Sequence, residues 1–564
     1  MRYYNIYITL LFSLTCSFLS GQIILDEQVT DWKSSYIVEE EIGDQINGPD
    51  IERLWMHNDD KYLYIRIDLS QEINLQSDNS LSLFIDVDQN ANTGFKKNGL
   101  GSEFSFYFGD RNGYVNVNGG SININHAEVG LVVSPTVSSK TFEITVERAL
   151  GNNGVFISGS INVGLDNDIF NGDMLPDNSG GVNYTLNNDM LFTAPITSLD
   201  KSPDADFRLL SYNVLRDRLF ENSARASYER IFQALVPDVI AFQEIYDHNS
   251  EQTKNIIEDF LPSENDETWY HDKVGNDIVL VSRYPILRGD YISGNGAFLI
   301  DVNGREVLIV NIHLPCCNNN VSRQEEIDDI LQYVRKAKEG QLSFDLQENT
   351  PIFIVGDSNL VGPASQRNSL RDGDIINNGS NGPDFFPDWD DTSLEDLISS
   401  TTGTPASYTW YNPESSFFPG RLDYVMYTGS VIYNINDFSL FTEGLSQNEL
   451  ILYNLSKSDT ENASDHFPLV SDWSFDELIS STTTPLNSEF IIFPNPFVND
   501  IHILSKVDHE NIVTANLYKP SGQLIESIYS ENHLHIKSNV GAGVFILKII
   551  DASGRIFTSK VVRL

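Results

Sequence analysis

Between residues 207 and 474 short apolar runs recur, and one after another stops at a side chain able to hold a metal ion or a phosphate. Phe207-Arg-Leu-Leu-Ser-Tyr-Asn213 ends in Asn213, Val239-Ile-Ala-Phe242 leads to Glu244, and Val307-Leu-Ile-Val-Asn-Ile-His313 ends in His313. Pro351-Ile-Phe-Ile-Val-Gly356 presents Asp357 and Asn359, Arg421-Leu-Asp-Tyr-Val-Met-Tyr427 carries Asp423, and Ser464-Asp-His466 brings Asp465 and His466. Runs of this length and content predict buried strands. Side chains of a strand alternate, so Asp357 and Asn359 project together if the chain stays extended past Gly356. A single Asp after a strand is ordinarily a turn residue. Six such places on separate elements are hard to explain by turn chemistry.

Helical patterns separate these runs. Tyr228, Ile231, Phe232 and Leu235 fall at i, i+3, i+4, i+7 before Pro237, which predicts an amphipathic helix. Ser322 with Glu325 reads as a capping box opening a second helix, with Ile327, Ile330, Leu331 and Val334 on its inner face. Residues 361–392, rich in Gly, Asn, Asp and Pro, read as a long loop, and Tyr408-Thr-Trp410 as the start of a further β segment. Asn276-Asp-Ile-Val-Leu-Val-Ser-Arg-Tyr-Pro285 is a strand leading to Arg283, a candidate phosphate contact that could equally close a strand edge.

As a set, Ser211-Tyr-Asn213, Pro237-Asp-Val-Ile-Ala-Phe-Gln-Glu244, Ser282-Arg-Tyr-Pro285, Asn311-Ile-His313, Gly356-Asp-Ser-Asn359, Arg421-Leu-Asp-Tyr424 and Ser464-Asp-His466 resemble the endonuclease/exonuclease/phosphatase family. They occur in the family's order across residues 206–474. The resemblance implies an α/β four-layer sandwich and a metal-dependent phosphoric ester hydrolase. It implies Glu244 as the principal ligand of Mg²⁺ (or Mn²⁺), with Asn213 and Asp465 nearby. Asp357 would orient or deprotonate the attacking water, and Asn359 would fix it. His466, paired with Asp423, would stabilise the phosphorane or protonate the leaving oxygen, and His313 would bind a phosphate oxygen.

The flanking segments differ in kind. Residues 23–200 alternate as in Tyr62-Leu-Tyr-Ile-Arg-Ile67 and Leu81-Ser-Leu-Phe-Ile85, with polar clusters between, which predicts an all-β sandwich. Leu25-Asp-Glu-Gln-Val-Thr-Asp-Trp32, Asp50-Ile-Glu-Arg-Leu-Trp55 and Asp86-Val-Asp-Gln-Asn-Ala-Asn-Thr-Gly94 with Gly101-Ser-Glu103 resemble family-9 carbohydrate-binding modules. Carbohydrate is therefore a candidate partner, although Trp55 reads equally well as core. Asp86, Asp88 and Glu103 offer oxygens suited to Ca²⁺, and an ion-free polar turn accounts for them equally well. Residues 475–489 read as a polar linker. Residues 490–564, with Phe493-Pro-Asn-Pro496, Ser521-Gly522 and Gly541-Ala-Gly-Val-Phe-Ile-Leu-Lys548, resemble the C-terminal sorting domain of the type IX secretion system, a small β-sandwich. The expected whole is multidomain, the α/β domain lying between two all-β ones.

Arg2 before the apolar run Ile6–Leu19, then Ser20 and Gly21, predicts a signal peptide over residues 1–21. No later stretch is apolar enough to span a membrane. The expected location is secreted or at the cell surface, with secretion machinery as a partner of the tail. Cys316 and Cys317 are adjacent, so they could form only a strained vicinal bond or bond another chain. The formal charge of −44, from 80 acidic and 36 basic residues, excludes a protein that coats nucleic acid through a basic surface. It does not exclude an enzyme that meets a polyanion through a bound cation. Nucleic acid is the favoured phosphoester, on grounds of compartment. A sphingomyelinase-like or phosphomonoesterase activity on phospholipid or a phosphorylated small molecule is the alternative, and an inert binding protein the third reading.

Overall fold

The computed structural model describes residues 22–476, except positions 118, 152–153, 178, 196–197 and 264–267, together with the strands of the segment 490–563. The expected signal peptide, residues 477–489 of the linker and the turn motifs 494–496, 521–522 and 541–542 lie outside the described residues. The chain is multidomain and rich in β-sheet, with few helices. It divides into two compact units, Met1–Phe475 and Asp476–Leu564.

The α/β part of the first unit holds two six-stranded sheets. Its strands are β1 (Phe207–Asn213), β2 (Val239–Gln243), β3 (Tyr270–Val274), β4 (Ile278–Ser282), β5 (Ile286–Ile292), β6 (Asn295–Val302), β7 (Arg305–His313), β8 (Ile352–Asp357), β9 (Glu395–Asp396), β10 (Asp423–Tyr427), β11 (Tyr433–Ser439) and β12 (Leu469–Ser474). One sheet runs β3-β4-β2-β1-β12-β11 and the other β5-β6-β7-β8-β10-β9. Each contains one parallel pair, β1 with β2 and β7 with β8, and is otherwise antiparallel.

Burial on both faces explains why these strands read as unbroken apolar runs. Leu209, Ala241, Leu280, Ile309, Val355 and Val425 share one core drawn from both sheets. Their neighbours Leu210, Phe242 and Val281 face the other way, against α1 (Asn222–Leu235) and α2 (Ser250–Phe260). On the second sheet Leu308, Val310, Ile352 and Ile354 meet α3 (Asn320–Lys338) and α4 (Ala364–Asp372).

Three local expectations fail. The helix α3 starts before Ser322, with Asn319 as its N-cap and no side-chain cap bond, so Ser322 and Glu325 form no capping box. Complete capping boxes occur instead at Asn249 with Gln252 and at Ser446 with Glu449. The stretch 361–392 contains α4 and a short helix, Asn378–Asn381. Only Gln366, Ser369 and Leu370 of α4 are buried, too few apolar contacts to leave a helical period. Tyr408–Trp410 forms no strand, and Trp410 makes only isolated bridges to Gly420 and His466.

The N-terminal region holds a five-stranded and a seven-stranded antiparallel sheet over a common core. It joins the α/β part through shared cores. Phe418 packs with Phe106 and Phe108, and Leu25, Trp32 and Tyr64 cluster with Tyr408, Phe441 and Phe467. Trp55 has its indole N–H on Asp68 at 3.2 Å and the Arg66 guanidinium 4.8 Å over its ring, so that face is covered. The second unit contains a three-stranded and a four-stranded sheet. Among the described residues no helix is long and apolar enough to cross a membrane.

Candidate active site

Strand register delivers the site. His313 pairs with Asp357 across the parallel β7–β8 ladder, and Asp357 pairs with Asp423 across β8–β10. Asn213 pairs with Gln243, the residue before Glu244. The polar ends of both sheets therefore meet at one edge. A buried tie holds the sheets together just beneath it, with Gln243 Nε2 donating to Asn311 Oδ1 at 2.7 Å and Asn311 Nδ2 to Phe242 O at 3.0 Å.

Asp357 is the hub. It is buried, and its Oδ2 accepts from Asn213 Nδ2 at 2.9 Å and lies 3.7 Å from His313 Nε2 and 3.6 Å from His466 Nε2. Its Oδ1 accepts from the backbone N–H of Asn359 at 3.1 Å. Asn359 has φ +47°, so the chain does not stay extended past the strand. Asn359 reaches the same cleft by turning, and its Nδ2 donates to Leu314 O at 3.0 Å.

Each imidazole has a carboxylate behind it. His466 Nδ1 is 2.8 Å from Asp423 Oδ2, and His313 Nδ1 is 2.6 Å from Asp277 Oδ2. Burial opposes charge on His466, but Asp423 and Asp357 outweigh it and lift its pKa to about 10. Burial opposes charge on His313 too, yet the bond to Asp277 and the charges of Asp357 and Glu244 raise it to about 9. Burial pushes Asp357 upward against the two imidazoliums. The centre thus holds two cationic N–H donors around a carboxylate.

Glu244 follows β2 with φ +66°. Its backbone is held by Asp217 N–H on Glu244 O at 2.9 Å, and its Oε2 accepts from Arg216 N at 2.8 Å. Asn213 Nδ2 also donates to Glu244 Oε1 at 3.1 Å, while Asn213 Oδ1 accepts from Leu215 N at 3.0 Å. In this arrangement Asn213 turns its amide N–H₂, a donor, toward the carboxylates. Asp465 Oδ2 accepts from Trp410 Nε1 at 3.1 Å, and its Oδ1 is buried without a donor. Arg283 stacks over Trp269 at 4.3 Å and does not line the cleft.

The donor chemistry fits a hard divalent cation. Glu244 and Asp357 lie in one group of donor atoms within 4.8 Å of one another, with His313, and Asp357 and Asp423 in a second, with His466. With both imidazoles protonated, the carboxylates are the ligands on offer. Asp423 Oδ1 is, like Asp465 Oδ1, buried and without a donor. Carboxylate oxygens in this number suit an ion such as Mg²⁺, which keeps part of its water shell. Asp86, Asp88 and Glu103 form a separate group of the same kind in the N-terminal region, and Glu40, Asp44, Asp173 and Asp177 another.

The centre opens into a cleft of about 670 Å³. Cys316 and Cys317 are exposed on its rim with sulfurs 2.7 Å apart, and burial with its neighbour pushes Cys316 up to about 11. Sequence reasoning missed Asp277, Asp217 and Trp410, which hold His313, Glu244 and Asp465. Asp277 stands in the quoted stretch Asn276-Asp-Ile, but nothing in strand periodicity marks it as a partner of His313.

Residues 210–466 match the Endonuclease/Exonuclease/phosphatase family. This part of the chain is a domain of that family. The domain is a phosphoester hydrolase, and its family depends on divalent metal. Among solved structures, the human Nocturnin catalytic domain with bound sulfate is 15% identical, covering 49% of this chain and 97% of its own, with a TM-score of 0.31. Truncated Caenorhabditis elegans TDP2 is 14% identical, covering 48% and 98%, with a TM-score of 0.32. A β-hairpin deletion mutant of beta toxin from Staphylococcus aureus is 17% identical, covering 40% and 88%, with a TM-score of 0.29. No curated protein matches the chain.

Proposed function

We propose that the chain is an exported phosphodiesterase that requires Mg²⁺ or Mn²⁺ and hydrolyses nucleic acid outside the cell. Its catalytic domain is read as a four-layered α/β sandwich. The observation that carries the reading is the convergence of Asn213, Glu244, His313, Asp357, Asp423 and His466 where the strand ends of the two sheets meet. Glu244 would hold the metal, with Asn213 and Asp465 beside it. The metal would supply charge neutralisation at the phosphate.

The protein's own groups divide the remaining work. Asp357, acceptor at the hub, orients or deprotonates the attacking water, and the Asn359 backbone N–H holds its other oxygen. His313, kept cationic by Asp277, donates Nε2–H to a phosphate oxygen. His466, kept cationic by Asp423, faces the charge that develops on the leaving or equatorial oxygen. Ca²⁺ is proposed at Asp86, Asp88 and Glu103, carbohydrate as a further ligand of the N-terminal sandwich, and the C-terminal segment as a sorting domain for secretion.

The test is a panel of single-stranded DNA, duplex DNA, RNA, sphingomyelin and inositol polyphosphates, each with Mg²⁺ or chelator. Hydrolysis of at least one that stops on chelation, and falls about 10²–10⁴-fold in Asp357→Asn, is expected. Full activity in chelator would overturn the metal-dependent reading.

A further inference from the structure

The cleft is not built by the catalytic domain alone. Asn74, Gln76, Ser77, Arg111 and Thr136 line it, and all five belong to the N-terminal sheets and their loops. They are tied into the catalytic loops by hydrogen bonds. Asn74 Nδ2 donates to Val361 O at 2.8 Å, Phe418 N to Gln76 Oε1 at 2.8 Å, and Arg421 N to Thr136 Oγ1 at 2.8 Å. Phe418 itself is buried in the N-terminal core. The loop that carries Phe417 and Phe418 is therefore fixed from the N-terminal side.

Arg111 and Phe417 stand out on this wall. Arg111 lies in the turn between the strands Phe104–Tyr107 and Asn112–Val117. Its guanidinium sits 4.2 Å over the Phe417 ring, Nη1 donates to Gln76 O, and Nε donates to Ser416 Oγ at 3.3 Å. Among the described residues no carboxylate pairs with it, in a chain of net charge −44. Phe417 leaves 49% of its surface exposed and Tyr246, also on the cleft, 43%. On the Glu244 side of the same cleft the Arg216 backbone N–H is on Glu244 Oε2, and its guanidinium makes no ion pair among the described residues.

We propose that Arg111 and Phe417 form a substrate subsite for an aromatic base next to the scissile phosphate, so that the N-terminal region sets specificity for unpaired nucleotides. The inference rests on the phosphodiesterase reading and names its substrate. A volume of about 670 Å³ lies in the range of compact-ligand pockets. Base stacking on an aromatic ring needs an unpaired base, and an arginine on the same ring adds charge for the phosphate. A duplex keeps its bases stacked inside, and its dense phosphates meet an acidic surface.

Fluorescence anisotropy with a labelled ten-nucleotide single strand would test this in the full chain with Mg²⁺, on an Asp357→Asn background that blocks turnover. Arg111→Ala and Phe417→Ala are each expected to weaken binding about ten-fold, the worth of one stacked base. Arg111→Lys should recover part of the loss, and Phe417→Tyr most of it. The same strand in a duplex should bind more weakly than when single. In otherwise wild-type protein the two alanine variants should raise KM for the single strand and change kcat little. Unfolding temperatures within a few degrees of wild type would show that the variants fold.

Unchanged binding in both variants, or a duplex bound as tightly as the single strand, overturns the proposal. So does preferential binding to sphingomyelin vesicles. Hydrolysis that ignores Arg111 and Phe417 would remove only this subsite. Binding that depends on both residues, without hydrolysis of any phosphoester by the wild-type chain, would remove the catalytic reading and leave the subsite.

Discussion

At the scale of single residues, two positions explain why the centre is so closely specified. Gly356 has φ +137°, and a Cβ there would lie 2.1 Å from Ile312 O on the neighbouring strand. Only glycine lets β8 pass β7 closely enough to bring Asp357 beside His313. Gly356→Ala is expected to cost about 2 kcal/mol or more in denaturant unfolding, and to lower activity by displacing Asp357. A neutral substitution would mean that β7 and β8 can separate freely. The second position is His466. Its folded pKa of about 10 stands above its usual 6.5. Stability from its charge is therefore fully present below pH 6.5 and is lost as pH rises through 10. In chelator, wild-type stability should fall across that window. His466→Gln should flatten the fall, as read by denaturant titration at several pH values. An unchanged slope would show that the imidazolium is not held by Asp423 and Asp357.

At the scale of elements, the strands that lead to site residues were legible, whereas β3, β5, β6, β9 and β11, which end in no such residue, were not, and the helices were legible only in part. Leu209 and Leu210 are both buried, one toward each neighbouring layer, and such strands announce themselves as continuous apolar runs. The helix α1 was legible because Tyr228, Ile231, Phe232 and Leu235 all face one core. The helix α4 was not, because tertiary contacts rather than an apolar stripe hold it: Gln366 Nε2 donates to Asn320 O, and Gly373 closes its end at φ +75°. The loop Asp86–Glu103 belongs to the same scale. Asp86, Asp88 and Glu103 gather their oxygens, Asp88 accepts from Asn90 N at 2.9 Å, and Glu103 Oε2 accepts from Val87 N at 2.9 Å. Burial pushes Glu103 upward, with Asp88 and Asp86 adding repulsion. Ca²⁺ is expected to raise the unfolding temperature, and Asp88→Asn to remove most of that rise. No calcium-dependent shift in differential scanning calorimetry would leave the loop an ion-free turn.

At the scale of the whole molecule, the N-terminal sheets and the α/β part behave as one body. Leu25 N–H reaches Pro405 O at 2.8 Å, Arg421 pairs with Glu27 at 3.2 Å, and Trp32 shares a core with Phe441 and Phe467. A buried pair, Arg208 with Asp472 at 2.6 Å, closes the α/β part where β1 meets β12. Calorimetry of residues 22–475 is expected to give one cooperative transition for both parts. Two transitions well separated in temperature would show that they fold independently and that the shared core contributes little.

The chain by itself determined the strands that lead to the candidate site, the order of the residues that end them and the presence of a phosphoester hydrolase domain. Those features are written in local patterns: apolar runs, the residues that end them, and a glycine where two backbones touch. Register and packing decided the rest. Asp277 became the partner of His313 only when β4 and β7 were brought together, and Asn213 turned its N–H₂ rather than its oxygen inward. The wall of the cleft came from residues such as Arg111, which lies 246 positions from Asp357 and carries no motif. Contacts of that range depend on how whole sheets pack, and no local pattern in a chain records them.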